Sequence, residues 1–272
     1  MGERVLNTYK IPVFRYPERA IYAYAKLWQW RELRDRKIVL AKTDIQSEKN
    51  HAAEPLHMFE DIMAVFHKSG IAVPPTHRVD SLAAAEKFLA KHKGAMVLKI
   101  FDEKLLHKYE FGAVELSITT QAQLRSAWKR ILTAQKKVAR AVGQPGTVYA
   151  QVQVEAGIEL IAGVKYDLSF GQVMMFGAGG SLANLIADRN LQMLPVTPLQ
   201  MLTMVQSAKV YSLISGYRGS GGYGEKELVK TLLAFSRLAA VHVPYGEMEI
   251  NPLILNRAGV WAVDAKVILH TK

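Results

Sequence analysis

The sequence predicts an α+β protein of two mixed halves with a cleft between them, preceded by a helical extension. Three observations carry that reading. The short apolar run AMVLKI (residues 95–100) reads as a buried strand, and a long amphipathic helix follows at 120–142. In the second half three strand-like stretches follow one another, VYAQVQVEAG, IELIAGVKYD and QVMMFG, before helices at about 198–214 and 225–241. The chain then closes on EMEINPLILNRAGVWAVDAK (247–266), two short apolar strands around a turn.

Taken in order, the stretch 12–34 predicts a helix that starts at Pro17, with Ala20, Tyr24, Leu27 and Trp28 at helical spacing. Its aromatic surface predicts that it docks on another body. Residues 35–56 are mixed and polar and read as a linker. A helix over 57–68 ends at Gly70, a suitable C-cap, and Ser81 caps a second helix through LAAAEKFLAKHKG. The stretch FDEKLLHKYEFGAV is looser. The 120–142 helix sets Leu124, Trp128, Ile131 and Val138 on one side against many basic residues on the other, and QPG (144–146) ends it. A Gly-rich turn, GAGG (177–180), follows the third strand of the second half, and GYRGSGGYG separates the last two helices.

Composition narrows the function classes. Of 272 residues 50% are hydrophobic, enough for a substantial core, and the 22% charged argues against bulk disorder. The absence of cysteine excludes disulfides, thiolate metal sites and cysteine nucleophiles, and fits a reducing cytoplasm. MGERVLNTYK lacks the apolar centre of a signal peptide, and no apolar run is long enough to span a bilayer. The net charge of +11 is compatible with nucleic acid, a membrane surface or small polyanions such as nucleotides. Scattered lysines and arginines, without a dense basic block, make nucleic acid the weaker of these.

The closing hairpin carries side chains that a purely structural one does not need. With the turn at Asn256-Arg257-Ala258-Gly259, an antiparallel register opposes Asn251 to Asp264 and Glu249 to Lys266, and all four project from one face. Two oxygen donors so placed can share a hard cation such as Mg²⁺, which takes one or two protein oxygens together with substrate phosphates. A solvated strand face with a Glu249–Lys266 ion pair accounts for the same pattern. Pro252 limits the ladder and predicts an edge or bulged strand.

These segments, in order, resemble the ATP-grasp subunit of acyl-CoA synthetases that form nucleoside diphosphate, the group of ADP-forming acetyl-CoA synthetase and, more distantly, the β subunit of succinyl-CoA synthetase. The stretches that carry the resemblance are GIAVP (70–74), MVLKI (96–100), HK (107–108) with its glycine-containing loop, GIELIAGVKYDLSFGQVMMFGAGG (157–180), GYRG (216–219) and the closing hairpin, covering about 57–272. Residues 11–33 are similar to the tail of the CoA-binding half that precedes this module in fused members. The implied organisation is an N-terminal helical extension (1–36), a linker (37–56) and the two α+β subdomains of the ATP-grasp fold (57–152 and 153–272), with the nucleotide cleft between them.

The resemblance implies a module that joins a carboxylic acid to CoA through ATP, releasing ADP and phosphate, with a histidine of a CoA-binding partner carrying the phosphoryl group. Lys99 is then the lysine at the nucleotide phosphates, a role suited to a point charge on a strand with apolar flanks. Gln151, Gln153 and Val154 lie where the hinge passes adenine, and Glu159 lies near the ribose. Asn251 and Asp264 match the Mg²⁺ ligands, and Glu249 a glutamate that orients the phosphorylated histidine. Gly177, Gly179 and Gly180 offer backbone amides to an oxyanion, or form an ordinary tight turn. His107 matches a second phosphoryl carrier, with Lys108 beside it to neutralise charge.

Three positions depart from the family pattern. Tyr109 stands for a small hydroxyl residue, Ala113 for a second glycine and Asn184 for a glutamate. They bear on relay through His107 more than on nucleotide binding. A regulatory nucleotide-binding module with a degraded relay loop, and a different ATP-grasp carboxylate ligase, are the competing readings. ATP or ADP with Mg²⁺ and a CoA-binding subunit or domain are the expected ligands and partner, with no nucleic acid or membrane.

Overall fold

The computed structural model describes residues 6, 8–9, 12–35, 56, 58–105, 108, 110–180, 188–216, 222–244 and 246–269. It divides into two compact units, Met1–Thr43 and Asp44–Lys272. The first contains α1 (Pro17–Asp35), which starts at the predicted proline and leaves Ile21, Tyr22, Tyr24, Leu27 and Trp28 exposed. Most of the linker expected over 37–56 lies outside the described residues.

The second unit holds two antiparallel sheets. The smaller has the order β1 (Thr76–Arg78), β4 (Thr147–Val152), β2 (Met96–Phe101), β3 (Val114–Ile118). Helices α3 (Leu82–Lys91) and α4 (Gln121–Val142) pack on it, and Phe88, Leu98, Ile100, Leu124, Trp128, Ile131 and Val138 fill that core. Both helices begin where their caps dictate. The Ser81 hydroxyl accepts from the Ala84 amide, and Thr120 and Gln123 form a reciprocal capping box. Gly143, at φ 90°, closes α4 in the left-handed region that a side chain would resist.

The larger sheet has the order β10 (Ala265–Ile268), β8 (Glu247–Asn256), β5 (Ile158–Asp167), β6 (Gly171–Ala178), β7 (Asn190–Met193), with β9 (Gly259–Ala262) paired to β8. Its core includes side chains of α2 (Phe59–Lys68), α5 (Pro198–Gln206), α6 (Tyr211–Ile214) and α7 (Glu225–His242). The chain ahead of β1 thus packs with the larger sheet. Phe59, Ile62 and Phe66 are buried there, and the Ala262 amide donates to Ala72 O. At the junction of the two sheets the Phe59 ring meets Phe101 at 5.2 Å and Tyr149 at 5.3 Å.

The helix expected over 198–214 is broken. The buried Asp188 carboxylate accepts from the amides of Lys209 and Val210, which draws the chain into a new start at α6. The strands that sequence reading missed, β1, β3 and β7, are three to five residues long and lie at or near sheet edges, where alternation is weak. Pro252 sits in an interior strand. Asn251 and Pro252 together oppose Ile161 alone, so a bulge, and not an edge position, accommodates the proline. No helix among the described residues is long and apolar enough to cross a membrane.

Candidate functional site

The closing unit adopts the register read from its turn. Asn256 pairs with Gly259, the same alignment continues into β10, and Lys266 opposes Glu249. The Asn251 amide donates to Asp264 O at 3.0 Å, so these two residues stand opposite each other where β9 gives way to β10.

Lys99 projects from β2 into the junction and is 3% exposed. A buried ammonium needs acceptors, and it has them. Nζ donates to Gln151 Oε1 (3.1 Å) and Val263 O (2.8 Å), stands 4.0 Å from Asp264 Oδ1, and lies 4.1 Å from the Phe59 ring centroid. Burial lowers its pKa; Asp264 pulls it back up and Lys108 pushes it down, leaving about 7. Gln151 is 1% exposed and is held in turn by Thr76 Oγ1 and Val263 O. Its side chain therefore positions Lys99, while its backbone lies within the β1–β4–β2 ladder.

Asp264 receives a second lysine. Lys108 Nζ donates to both carboxylate oxygens at 2.7 and 2.6 Å, and Ala265 N donates to Oδ1 at 3.0 Å. Burial alone would raise the Asp264 pKa, but Lys108 and Lys99 outweigh it and hold the carboxyl below its ordinary value. Glu249 lies in the field of the same group. Burial raises its pKa, Glu247 and Asp264 add to the rise, and a hydrogen bond from Asn251 with the charge of Lys266 opposes it. Asn251 joins the two sides, since Nδ2 donates to Glu249 Oε1 and Oδ1 accepts from Gly180 N, each at 3.4 Å.

The glycine turn is shaped by close approach. A Cβ at Gly179 would overlap the Leu160 backbone, and one at Gly180 the Glu159 carboxylate. Gly177 lies within β6, and its Cβ would strike Asp188 O. The Gly179 amide donates to Glu159 O. Glu159, Gly179, Gly180, Asn251 and Glu249 are thereby one neighbourhood.

Two expected nucleotide residues stand apart from it. Gln153 Oε1 accepts from Ser117 N at 2.6 Å, and among the described residues no hydrogen bond joins Gln153 or Val154 to the lysine cluster. The amides of Val152 and Gln153 donate to Pro75 O and Ala95 O. His107, Tyr109 and Asn184 lie outside the described residues, as does most of GYRG. Ala113 is accommodated without strain. Gly112 takes the positive φ of the loop at 64°, and Ser117 is the one described non-glycine residue in that region. Sequence reasoning missed the Val263 carbonyl and the Phe59 ring around Lys99. No spacing links residues 59, 99 and 263, and the available signal was a glutamine inside the apolar stretch TVYAQV.

The donor set suits a hard cation. Among the described residues no group of three or more His, Cys, Asp or Glu side chains could hold a metal. What stands there is one carboxylate and one amide oxygen in facing positions, the ligand count Mg²⁺ uses when phosphates complete its shell. Asp264 already binds a cationic group on both oxygens, so its position is one that holds positive charge.

Comparison with known proteins identifies the family. The ADP-forming acetate–CoA ligase I of Archaeoglobus fulgidus is 28% identical over 280 residues, covering 98% of this chain and 40% of that protein. The β subunit of ADP-forming acetate–CoA ligase II of Pyrococcus furiosus is 29% identical over 203 residues, covering 74% of this chain and 86% of the subunit. A solved structure of the Ca. Korarchaeum cryptofilum dinucleotide-forming acetyl-coenzyme A synthetase 1, in complex with coenzyme A and Mg-AMPPCP and with its phosphohistidine segment pointing towards the nucleotide binding site, is 26% identical. It covers 78% of this chain and 92% of the solved one, with a TM-score of 0.65. A family model described as an ATP-grasp domain matches residues 52–269, and the chain belongs to that family.

Proposed function

We propose that the chain is the nucleotide- and Mg²⁺-binding half of an ADP-forming acyl-CoA synthetase, acting with a CoA-binding subunit or domain in the cytoplasm. Carboxylate, CoA and ATP give acyl-CoA, ADP and phosphate through phosphohistidine transfer. The observation that carries this reading is the junction where Lys99 and Lys108 from one sheet meet Asp264 from the other, opposite Asn251. A junction with this charge pattern suits a polyphosphate–metal pair, and the relatives bear names of the same chemistry.

In this reading the two sheets are the centres of the two ATP-grasp subdomains, 57–152 and 153–272, with α2 of the first segment packed on the larger sheet. Lys99, locked by Gln151 and Val263 O, offers a fixed cation to the phosphates without needing to reorganise. Asn251 and Asp264 would hold Mg²⁺, which neutralises charge on the transferring phosphoryl group. Glu249 is poised to hydrogen-bond an incoming phosphohistidine imidazole and fix its tautomer. Val154, at the exit of β4, offers backbone groups to adenine, Glu159 faces the ribose, and Gly177, Gly179 and Gly180 flank the phosphates. His107 is the candidate second carrier.

The chain spans 40% of the length of the Archaeoglobus relative, and acyl-CoA synthesis by the whole belongs to this proposal. The test is to supply a CoA-binding partner subunit with γ-labelled ATP. Label on His107 and acyl-CoA formation are expected, with neither product from a chain lacking the partner. Nucleotide binding without any label or product identifies a regulatory module instead.

A further inference from the structure

The Lys108–Asp264 contact engages both carboxylate oxygens. Asp264 already has a cation within reach in Lys99 and a backbone donor in Ala265 N. Lys108 nonetheless chelates both oxygens, with its side chain 13% exposed and its Nζ 5.2 Å from the Phe101 ring centroid and 5.8 Å from that of Phe59. The ammonium is therefore seated and desolvated. It occupies the side of the carboxylate that a chelated metal ion would take, and the two exclude each other there.

The charges around Asp264 favour a cation that arrives with an anion. Lys99 and Lys108 both face the single carboxylate of Asp264, so at this carboxylate lysines outnumber negative charges two to one. A bare divalent cation would add to that excess. A nucleoside triphosphate brings more negative charge than its metal offsets, and it gives Lys108 a second partner to which it can transfer.

We propose that Lys108 is a tethered competitor of the divalent cation at Asp264, so that the cation enters only together with the phosphates that draw Lys108 away. The inference rests on the nucleotide–Mg²⁺ reading above, and it adds an ordered coupling. Metal alone is refused, and the metal–nucleotide pair is accepted. Lys108 is a positioning residue in this scheme.

The test is calorimetric titration and thermal melting of the full chain with MgCl₂ alone, and with MgCl₂ plus a non-hydrolysable ATP analogue, at constant ionic strength. Lys108→Met keeps an unbranched apolar side chain and removes the charge; Lys108→Arg keeps the charge. The wild type and Lys108→Arg are expected to bind Mg²⁺ weakly alone and well with the analogue. Lys108→Met is expected to bind Mg²⁺ alone about tenfold more tightly, with melting shifted accordingly. If Lys108→Met gains nothing while the wild type binds the Mg²⁺–analogue pair, the competitor role is overturned; it is also overturned if Lys108→Arg gains as much as Lys108→Met. If Lys108→Met gains Mg²⁺ affinity but neither protein binds the analogue, the competition stands and the nucleotide reading falls.

Discussion

The two sheets bring different things to the junction between them. The four-stranded sheet and its β2–β3 connection supply Lys99, Lys108 and the buried amide Gln151. The six-stranded sheet supplies Asp264, Glu249, Asn251 and the Val263 carbonyl, with Lys266 as its cation. Neither set is satisfied alone. Lys99 without Val263 O and Asp264 would be a buried ammonium with one acceptor, and Asp264 without the lysines would be a half-buried carboxylate. The aromatic packing of Phe59 on Phe101 and Tyr149 joins the sheets non-directionally, whereas the charge cluster fixes their alignment. A nucleotide site placed here is preorganised by the same groups that align the layers.

Removing one side of this exchange should have the largest effect. Lys99→Ala removes the ammonium seated over the Phe59 ring, leaves Gln151 Oε1 without its donor and leaves Val263 O with the Gln151 amide alone. The expected loss is about 2–4 kcal/mol in urea unfolding. The same residue has a pH signature. Its folded-state pKa of about 7 lies below the ordinary 10.5. Between those values the unfolded chain binds a proton that the folded chain lacks, so stability rises with pH across that window, by up to about 1.4 kcal/mol per unit from this group. Urea midpoints at pH 7 and 9 should show the wild type gaining relative to Lys99→Ala. An identical pH dependence in both proteins would break the assignment of Lys99 as a desolvated cation.

The smallest effect is expected away from the junction. Arg130 pairs with Glu115 through two 2.7 Å contacts, yet its side chain is 55% exposed. Arg130→Ala should cost at most about 1 kcal/mol and leave nucleotide binding unchanged, as measured by the same unfolding and melting assays. A cost equal to that of Lys99→Ala would mean that the junction holds no special place in the molecule.

Much of this was legible in the sequence, for physical reasons that differ between regions. The register of the closing unit followed from its turn, because a tight turn and a period of two leave no freedom in which residues face each other. Lys99 stood out as a charge amid a fully buried strand. The Asp188 contact that interrupts the 198–214 helix was not legible, since a carboxylate that holds backbone amides about twenty residues on leaves no local trace. Nor was the role of Gln151, which resembled a hinge residue by position and holds Lys99 by its side chain. The glycines at 177 and 179 read as a tight turn or an oxyanion-binding one, whereas contact with Asp188 and Leu160 explains why they carry no side chain. Contacts between segments distant in sequence decided each of these, and periodicity carries no information about them.

The central claim is that Asp264, opposite Asn251, holds the metal that accompanies a nucleotide. It is tested most directly by melting the wild type and Asp264→Ala with ATP, with and without Mg²⁺. At a ligand concentration of roughly 100 times Kd the wild type should gain about 2.7 kcal/mol, or ~5–10 °C. Asp264→Ala should lose the Mg²⁺-dependent part of that gain entirely. An undiminished Mg²⁺-dependent shift in the variant would contradict the account.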